Sequence, residues 1–398
     1  MNNKVLEIAK NAYENVEFYN EIAEKNNLNL KEIRSLEEFP IIKKKKIVGC
    51  PDKLIVKGYK KEELEKLHTS GTTGLELFLY FSKLDSIHRA MILWGEREKN
   101  CPGIMTEKKA MFNDSSWLKD NATCIEGDML YFNTKHLDIV AFEEYYKKLN
   151  EFQPKFIHTP PTVIYEFVRY MKKNNIKPVY EVMYIELAGE FVSDGVYSEL
   201  CSFFEGAVII NYYGSVEFYS IAHGCKNNRL HETGESVYIE VVNKDKDGFG
   251  DLVITSLVNK TMPLIRYEIG DIGRILENKC SCGKSGRIIQ LKSGRTYDYY
   301  IDGNRKITGD YFRKVLISYF AMNNDEKNII QFSIKQLDKN ELQYNLIVQV
   351  NIDIYEIEKY LVKHLNSYLR IPVKISVNTE LNMLERSKVK FQMYDFWK

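Results

Sequence analysis

Hydrophobic and polar positions divide the 398-residue chain into stretches of different character. Up to about residue 60, apolar residues recur at helical spacing between charged connections, which predicts amphipathic helices. From His68 to Arg295, short apolar runs alternate with helical stretches, as expected of α/β units. Beyond Tyr297, two alternating segments precede a helical stretch and a last apolar run. The pattern therefore predicts a large α/β domain followed by a small α+β domain.

Individual elements follow from the same periodicities. In the large domain we predict strands at residues 156–158, 182–188, 207–211 and 251–257, and a helix at 162–173. The turn at residues 245–248 predicts that the strand at 251–257 runs antiparallel to the chain that precedes the turn. In the small domain we predict a hairpin of 329–335 and 342–350, a helix at 354–369 and a strand at 373–377. The lysine run 43–46 is interpreted as the solvated start of a helix.

Composition limits the classes of function. Lys and Arg number 56 against 55 Asp and Glu, and the net charge is +1, which indicates neither a nucleic-acid footprint nor an anionic membrane partner. The charged N-terminus does not read as a signal peptide, and no apolar run approaches the ~20 residues of a membrane span. We expect a cytoplasmic protein. Seven cysteines, an odd number, argue against a disulfide scaffold, and the oligomeric state stays open.

A loop rich in glycine and hydroxyl residues carries the strongest local signal, and it consists of Thr69, Ser70, Gly71, Thr72, Thr73 and Gly74. Glycine lets backbone N–H groups approach a phosphate, and the hydroxyls add donors. The loop is not a Walker A motif, because no Gly-Lys-Ser/Thr closes it. Taken alone, such a turn is also common without any ligand.

Further segments follow the loop in a characteristic order: 211–217 (NYYGSVE), 263–271 (PLIRYEIGD) and the pair Gly294-Arg295. Together they resemble the adenylate-forming superfamily of acyl-CoA synthetases, adenylation domains and luciferases. The short chain, the run PLIRY and the segment 280–283 (CSCG) are closest to the phenylacetate–CoA ligase branch. The resemblance begins near Phe39 and implies a large adenylate-forming N-terminal domain, 1–296, and a small mobile C-terminal domain, 297–398.

The resemblance also implies roles for individual residues. The glycine-rich loop holds the β- and γ-phosphates of ATP, Glu217 binds Mg²⁺, and Asp271 accepts hydrogen bonds from the ribose. Tyr213 lies against the adenine ring. The other nucleotide-binding residues implied are Ala188, Gly189, Glu190, Tyr212, Gly214, Ser215 and Arg295. Considered singly, residues 213–214 also fit a plain strand-end turn, and Asp271 also fits a turn cap.

Three positions depart from the family pattern. Leu75 follows the loop where a basic residue is usual, and Val216 replaces the Thr or Ser that contacts the α-phosphate. Tyr297 replaces the acidic first residue of the hinge, so Tyr297 and Asp298 are the expected hinge. Each change removes a contact to a charged group, worth about 1.5–3 kcal/mol. These departures bear on catalytic efficiency more than on the fold.

A lysine near the C-terminus is the implied catalytic cation, which bridges the carboxylate of the acid and the α-phosphate. Lys390 fits this position best, although Val389 precedes it where glycine is usual. Lys388 is the alternative, and a solvated basic tail is the plain structural interpretation.

A metal site is indicated by Cys225, His231, Cys280 and Cys282. Three thiolates and one imidazole suit tetrahedral Zn²⁺, and a site with all positions filled by protein is structural. The spacing is not a standard one. The alternative is that the cysteines are ordinary small hydrophobic residues.

These observations predict an ATP- and Mg²⁺-dependent ligase that activates a small carboxylic acid, aryl or arylacetic, and transfers it to coenzyme A. One alternative is an adenylation enzyme that loads the phosphopantetheine of an acyl carrier protein. Alternatives of another class are a nucleotide-binding protein without turnover and a zinc-stabilised interaction module. The segment 112–130, with Trp117 and Phe132, either lines the acid pocket or belongs to the core.

Overall fold

The structure is a computed structural model, which describes residues 2–69, 77–113, 122–134, 139–190, 192, 194–295, 299–302, 305–308, 312, 315–316, 318–320, 329–348, 353–379 and 391–392. The chain divides into two compact units. Unit 1 comprises residues 1–106 and 208–292, and unit 2 comprises residues 107–207 and 293–398. The predicted domain boundary at residue 297 stays a prediction.

The helices of the described residues are numbered in chain order. They are α1 Asn2–Asn15, α2 Glu17–Lys25, α3 Lys44–Ile47, α4 Lys83–Asn100, α5 Ile139–Phe152, α6 Pro161–Lys173, α7 Asp194–Phe203 and α8 Ile354–Tyr368. None of these described helices combines the length and apolar content that a membrane span requires.

The strands are likewise numbered in chain order. In the first half they are β1 Ile42–Lys43, β2 Glu65–His68, β3 Phe78–Phe81, β4 Lys109–Asn113, β5 Thr123–Glu126, β6 Met129–Asn133, β7 Phe156–Thr159, β8 Tyr184–Ala188, β9 Val208–Ser215 and β10 Tyr219–Gly224. In the second half they are β11 Leu230–Glu232, β12 Val237–Val242, β13 Gly250–Ser256, β14 Tyr267–Leu276, β15 Ile288–Arg295, β16 Tyr299–Asp302, β17 Arg305–Thr308, β18 Ile329–Asp338, β19 Glu341–Val348, β20 Lys374–Asn378 and β21 Phe391–Gln392.

Unit 1 is built on a largely antiparallel sheet with strand order β12-β13-β14-β15-β11-β10-β9, and β1 adds to β14 in parallel. The predicted antiparallel strand at 251–257 is β13, which pairs with β12 as expected. Helix α1 buries Val5, Ala9 and Ala12 in the core of this unit, because these positions share one helix face. The sheet and the N-terminal helices of unit 1 thus pack around one hydrophobic core.

Two buried contacts attach the N-terminal segment to the start of β14. The Tyr19 hydroxyl donates to the Pro263 carbonyl at 3.1 Å and accepts from the Ile265 N–H at 2.9 Å. Arg266 donates to both carboxylate oxygens of Glu240, at 2.8 and 3.1 Å, and to the carbonyls of Glu37 and Phe39. Arg266 is buried and fully engaged, so its role here is structural.

In unit 2, the segment 107–207 forms a sheet with order β8-β7-β4-β6-β5, parallel except at its β5 edge. Strands β7 and β8 and helix α6 confirm the predictions at 156–158, 182–188 and 162–173. Phe112 and Phe132 are buried and stack at 4.3 Å, and Leu130 is fully buried. Of the two interpretations of this segment, core packing is therefore the correct one for these three residues. Trp117 lies outside the described residues.

Residues 300–377 of unit 2 supply a hydrophobic core of their own, which includes Tyr300, Phe312, Leu342 and Leu361. Strands β18 and β19 form the predicted hairpin, and the sheet order is β20-β19-β18-β21. Helix α8 begins after Asp353, whose carboxylate accepts from the Glu356 N–H at 3.3 Å. The predicted helix 354–369 and strand 373–377 are confirmed by α8 and β20.

Candidate functional site

The hairpin of β9 and β10 carries the segment NYYGSVE, with Ser215 opposite Tyr219 and Tyr212 opposite His223. The Tyr212 hydroxyl donates to the Tyr219 carbonyl at 2.5 Å, which closes the hairpin end. A Cβ atom on Gly214 would lie 2.3 Å from that same carbonyl oxygen, so only glycine fits there. Tight packing therefore accounts for part of this motif.

The hydroxyl of Ser215 serves the turn, because its Oγ accepts from the Phe218 N–H at 3.3 Å. Val216, the departure from the family pattern, is exposed at the turn. Glu217 follows and is 9% exposed. Its Oε1 accepts from the Tyr267 hydroxyl at 3.4 Å, a long hydrogen bond between β14 and the turn after β9. The predicted Mg²⁺ carboxylate is thus oriented by a tyrosine from another strand.

Asp271, the predicted ribose ligand, lies on β14 and is half-buried. Its Oδ2 accepts from the Tyr213 hydroxyl at 2.7 Å, a short bond to a charged acceptor. Tyr213 and Asp271 are separated by 58 residues in the chain. The structure therefore brings together the residues predicted to contact the adenine ring and the ribose.

Thr69 begins the predicted phosphate loop and is buried. Its Oγ1 accepts from the Leu77 N–H at 3.2 Å and from the Lys44 ammonium at 3.0 Å. The lysine run does begin a helix, α3, and Lys45 and Lys46 are exposed as expected. For Lys44 the prediction of a solvated side chain is wrong, because Lys44 is half-buried and its ammonium donates to a predicted site residue, Thr69.

The other predicted site residues fall into two groups. Strand β8 of unit 2 ends at Ala188, and Gly189 and Glu190 follow it in a bend. The side chain of Arg295 and all of Ser70, Gly71, Thr72, Thr73, Gly74, Tyr297, Asp298, Lys388 and Lys390 lie outside the described residues. The roles of both groups stay predictions.

The predicted metal ligands converge in unit 1. The ligand atoms of Cys225, His231, Cys280 and Cys282 all lie within 4.8 Å of one another. The Sγ atoms of Cys225 and Cys280 are 3.7 Å apart, and Cys282 Sγ is 3.4 Å from His231 Nε2. A tetrahedral zinc ion with bonds of about 2.3 Å to sulfur holds neighbouring sulfurs about 3.8 Å apart. The donor set and its spacing therefore fit Zn²⁺.

Local bonds shape the loop that carries two of these ligands. Gly283 has φ +80°, the left-handed conformation that lets the chain turn after Cys282. The Lys284 N–H donates to Cys282 Sγ at 3.3 Å, and the Asn227 side-chain amide donates to Cys280 Sγ at 3.4 Å. Such donors orient and stabilise thiolate ligands from outside the metal's own shell.

The thiols of the cluster differ in acidity. The backbone N–H of Cys282 lowers the pKa of Cys280 to about 6, whereas burial raises the pKa of Cys225 to about 11. Metal binding requires thiolates, so a bound zinc ion must displace the proton that burial keeps on Cys225.

The Lys284 side chain ties the metal loop to α4. Its ammonium is 2.6 Å from Glu96 Oε2 and donates to the Gly224 carbonyl at 3.1 Å. Burial raises the pKa of Glu96, but the Lys284 and Lys99 ammonium groups outweigh it and hold that pKa below its usual range. The loop is thus anchored next to the end of β10.

Sequence reasoning missed Tyr267, Lys44 and Lys284 as neighbours of the candidate sites. Tyr267 lies inside the segment PLIRYEIGD, but nothing in that pattern points its hydroxyl at Glu217. Lys44 was hidden in a run of four lysines. Each contact joins residues that are distant in the chain, so it depends on the tertiary fold.

Comparisons with known proteins find relatives at low sequence identity, and no family model matches the chain. Protein CapK of Staphylococcus aureus is 26% identical over 365 residues, which cover 87% of this chain and 77% of that protein. Phenylacetate-coenzyme A ligase of Thermus thermophilus is 24% identical over 312 residues, which cover 73% of this chain and 68% of that ligase.

Solved structures show the fold. A 2-hydroxyisobutyryl-CoA ligase in the postadenylation state, in complex with R3-HIB-AMP, aligns with a TM-score of 0.69 at 14% identity, covering 99% of this chain and 88% of that one. The anthranilate CoA ligase AuaEII in complex with anthranoyl-AMP aligns with a TM-score of 0.56 at 14% identity, covering 84% and 66%. The predicted α/β fold is confirmed, and it is the fold of these CoA ligases.

Proposed function

We propose that the protein is an AMP-forming acid–thiol ligase that activates a small carboxylic acid with MgATP and transfers the acyl group to coenzyme A. The observation that carries this proposal is the contact between Tyr213 and Asp271 at 2.7 Å, with Glu217 on the turn that follows Tyr213. An aromatic ring, a ribose-binding carboxylate and a metal-binding carboxylate are the groups that a MgATP site needs.

The names of the similar proteins support coenzyme A as the acceptor and an aromatic acid as the substrate. Two relatives are named as ligases of aromatic acids, phenylacetate and anthranilate. A third is named for the aliphatic 2-hydroxyisobutyrate, and one of its structures contains CoA. We propose an aryl or arylacetic acid as substrate, in the phenylacetate–CoA ligase branch.

The reaction has two balanced steps. A carboxylate oxygen of the acid attacks the α-phosphorus of ATP, and the bond to the departing pyrophosphate breaks. The product of this step is acyl-AMP. The thiol sulfur of coenzyme A then attacks the acyl carbon, loses its proton, and releases AMP. Glu217 would hold the Mg²⁺ that enters with ATP and offsets phosphate charge. Asp271 and Tyr213 would orient the nucleoside, so that the α-phosphorus meets the carboxylate.

ATP–pyrophosphate exchange across a panel of acids tests the proposal. We expect exchange with phenylacetate, benzoate or anthranilate, and coenzyme A should then yield the thioester. The panel includes 2-hydroxyisobutyrate as the aliphatic comparison. ATP–pyrophosphate exchange without formation of a CoA thioester would indicate that the acceptor is the phosphopantetheine of a carrier protein. MgATP binding without exchange for any acid would contradict the ligase and leave a nucleotide-binding protein.

Lys390 is proposed as the cation that stabilises the transition state of adenylation. Lys390→Ala should slow pyrophosphate exchange about 100-fold or more, on the scale of one lost charge-stabilising contact. Thioester formation from synthetic acyl-AMP should be spared, because the phosphate chemistry is then complete. Lys388→Ala is the matched control. Equal losses in both half-reactions would assign Lys390 to domain structure, and loss only in the control would transfer the role to Lys388.

The zinc centre is proposed as structural. Cys225, His231, Cys280 and Cys282 fill a tetrahedral shell, which leaves no position for a substrate or water. When bound, the ion would cross-link the end of β10, β11 and the loop before β15. Metal analysis of the purified protein should find about one zinc per chain.

A further inference from the structure

Arg89 on α4 is a cation for which the described residues supply no hydrogen-bonded anion. It is half-buried, and its Nη1 atom is shielded from solvent without a hydrogen-bond partner in the described part of the chain. Burial lowers the pKa of Arg89, although a guanidinium stays charged at neutral pH. Buried polar groups normally find acceptors within the protein, so an unpartnered guanidinium nitrogen requires an explanation.

The two carboxylates whose charge reaches Arg89 are held by other donors. They belong to Glu65 and Asp85. Asp85 is buried, and its Oδ2 accepts from the N–H and the hydroxyl of Thr261, at 3.1 and 2.5 Å. Glu65 is exposed and accepts from the Ser86 hydroxyl. Both carboxylates are thus engaged elsewhere.

Two aromatic rings hold the guanidinium of Arg89 in place. Its central carbon lies 4.0 Å from the ring centroid of Phe81, at the end of β3, and 5.0 Å from that of Tyr219, at the start of β10. Ring faces attract a cation, but they accept hydrogen bonds only weakly. The rings therefore fix the position of the charge and leave the N–H groups available to a stronger acceptor.

Tyr219 has a strained backbone. Its φ of +64° lies in the left-handed region, which is costly for an aromatic residue. The hairpin maintains this conformation, because Tyr219 pairs with Ser215 and its carbonyl accepts from the Tyr212 hydroxyl. Strained residues that are held by their surroundings concentrate at ligand sites. Tyr219 also lies two residues after Glu217, so Arg89 adjoins the turn that carries the predicted Mg²⁺ carboxylate.

We propose that Arg89 binds an oxyanion, the carboxylate or phosphate group of a ligand, beside the turn at residues 215–219. The planar guanidinium fork donates parallel N–H bonds to either group. The ligand supplies the acceptor that the described residues do not, and its charge offsets the burial of the cation. The candidate ligands rest on the proposed function, because its substrates ATP, the acid and coenzyme A all carry oxyanions.

Calorimetric titration of the full chain with MgATP, inorganic pyrophosphate, phenylacetate and coenzyme A identifies the source of the oxyanion. Arg89→Met should weaken binding of one source about 10- to 100-fold, the range for a hydrogen bond to a charged group, and spare the others. Loss for MgATP and pyrophosphate together assigns the nucleotide phosphates. Loss for phenylacetate alone assigns the carboxylate, and loss for coenzyme A alone assigns its phosphates. Arg89→Lys should retain part of the affinity, because it keeps the charge but loses the fork.

A matched control and a stability measurement separate binding from folding. Lys83 is exposed on the same helix, so Lys83→Met removes one positive charge and should bind every probe like wild type. Methionine at position 89 still packs on both rings and removes an unpartnered charge. The denaturant midpoint of ligand-free Arg89→Met should therefore not fall below that of wild type.

Other outcomes overturn the inference. Unchanged binding of all four probes by Arg89→Met would exclude an oxyanion site at Arg89. Equal weakening of all four, or a lower denaturant midpoint, would assign Arg89 to the fold. Wild-type protein that binds these probes but activates no acid would refute the ligase, while the comparison of Arg89→Met with wild type would still decide the inference. Wild-type protein that binds none of the probes would refute both.

Discussion

Unit 1 holds two candidate sites that are organised in opposite ways. In the cysteine–histidine cluster, the functional groups contact one another directly, with neighbouring ligand atoms 3.4 and 3.7 Å apart. In the proposed nucleotide site, the described hydrogen bonds of Glu217 and Asp271 come from Tyr267 and Tyr213. Each of these tyrosines comes from a distant part of the chain.

This difference reflects what each ligand requires. A metal ion needs four donors around one point, so the ligand identities themselves specify the chemistry. A nucleotide is an extended ligand, and its site needs separate groups held at set orientations. Damage to the cluster should therefore act on stability, whereas damage to the carboxylates and their tyrosines should act on binding and catalysis.

Loss of a cluster ligand should produce the largest effect. Cys282→Ser is expected to release zinc and to lower the free energy of unfolding by at least about 3 kcal/mol, because loss of a structural metal removes a cross-link among distant strands. Denaturant unfolding with metal analysis measures both. Cys201→Ser, at an exposed cysteine outside the cluster, should change neither. Metal-free wild-type protein that stays fully stable in chelator would contradict the site.

Glu217→Gln should have the second-largest effect, and it should lower activity without lowering stability. The amide is a poor Mg²⁺ ligand, so exchange should fall about 100- to 1,000-fold, the scale for one lost transition-state contact. Thermal unfolding should match wild type, because the amide can still accept from Tyr267. Glu235→Gln, at a nearby exposed position, is the control. Undiminished exchange in Glu217→Gln would remove this residue from the metal site.

Tyr213→Phe should have a smaller effect on the same site. It removes a 2.7 Å hydrogen bond to a carboxylate, so the KM for ATP should rise roughly 10-fold or more. Combination with Asp271→Asn in a double-mutant cycle should give less than the sum of the single effects, because both variants break one contact. Additive losses would show that the two residues act independently.

Tyr267→Phe should have the smallest effect of the series. Its hydroxyl is 3.4 Å from Glu217, and a long hydrogen bond contributes at the low end of about 0.5–1.5 kcal/mol. We expect a 2- to 3-fold fall in kcat for exchange (about 0.5 kcal/mol), with the KM for ATP nearly unchanged. A loss as large as that of Glu217→Gln would mean that Tyr267 contacts the substrate itself.

Periodicity was sufficient to predict much of the fold. The parallel strands β7 and β8, helix α6 and the β18–β19 hairpin lie where apolar spacing placed them. Such elements depend on local patterns, which alternate in strands and repeat at 3.6 residues in helices. The strand predicted from residue 182 begins at Tyr184, a shift typical of element ends.

The sequence by itself determined the chemistry that is available: three cysteines and a histidine, a loop of glycine and hydroxyl residues, and carboxylates at Glu217 and Asp271. These follow from residue types and short spacings. Only the tertiary structure decided which groups meet. It buried Phe112 and Phe132 in the core, engaged Arg266 with Glu240, and gave Thr69 a lysine from a run that reads as solvent-facing. Such contacts depend on how distant strands pair, and local periodicity carries no information on that pairing.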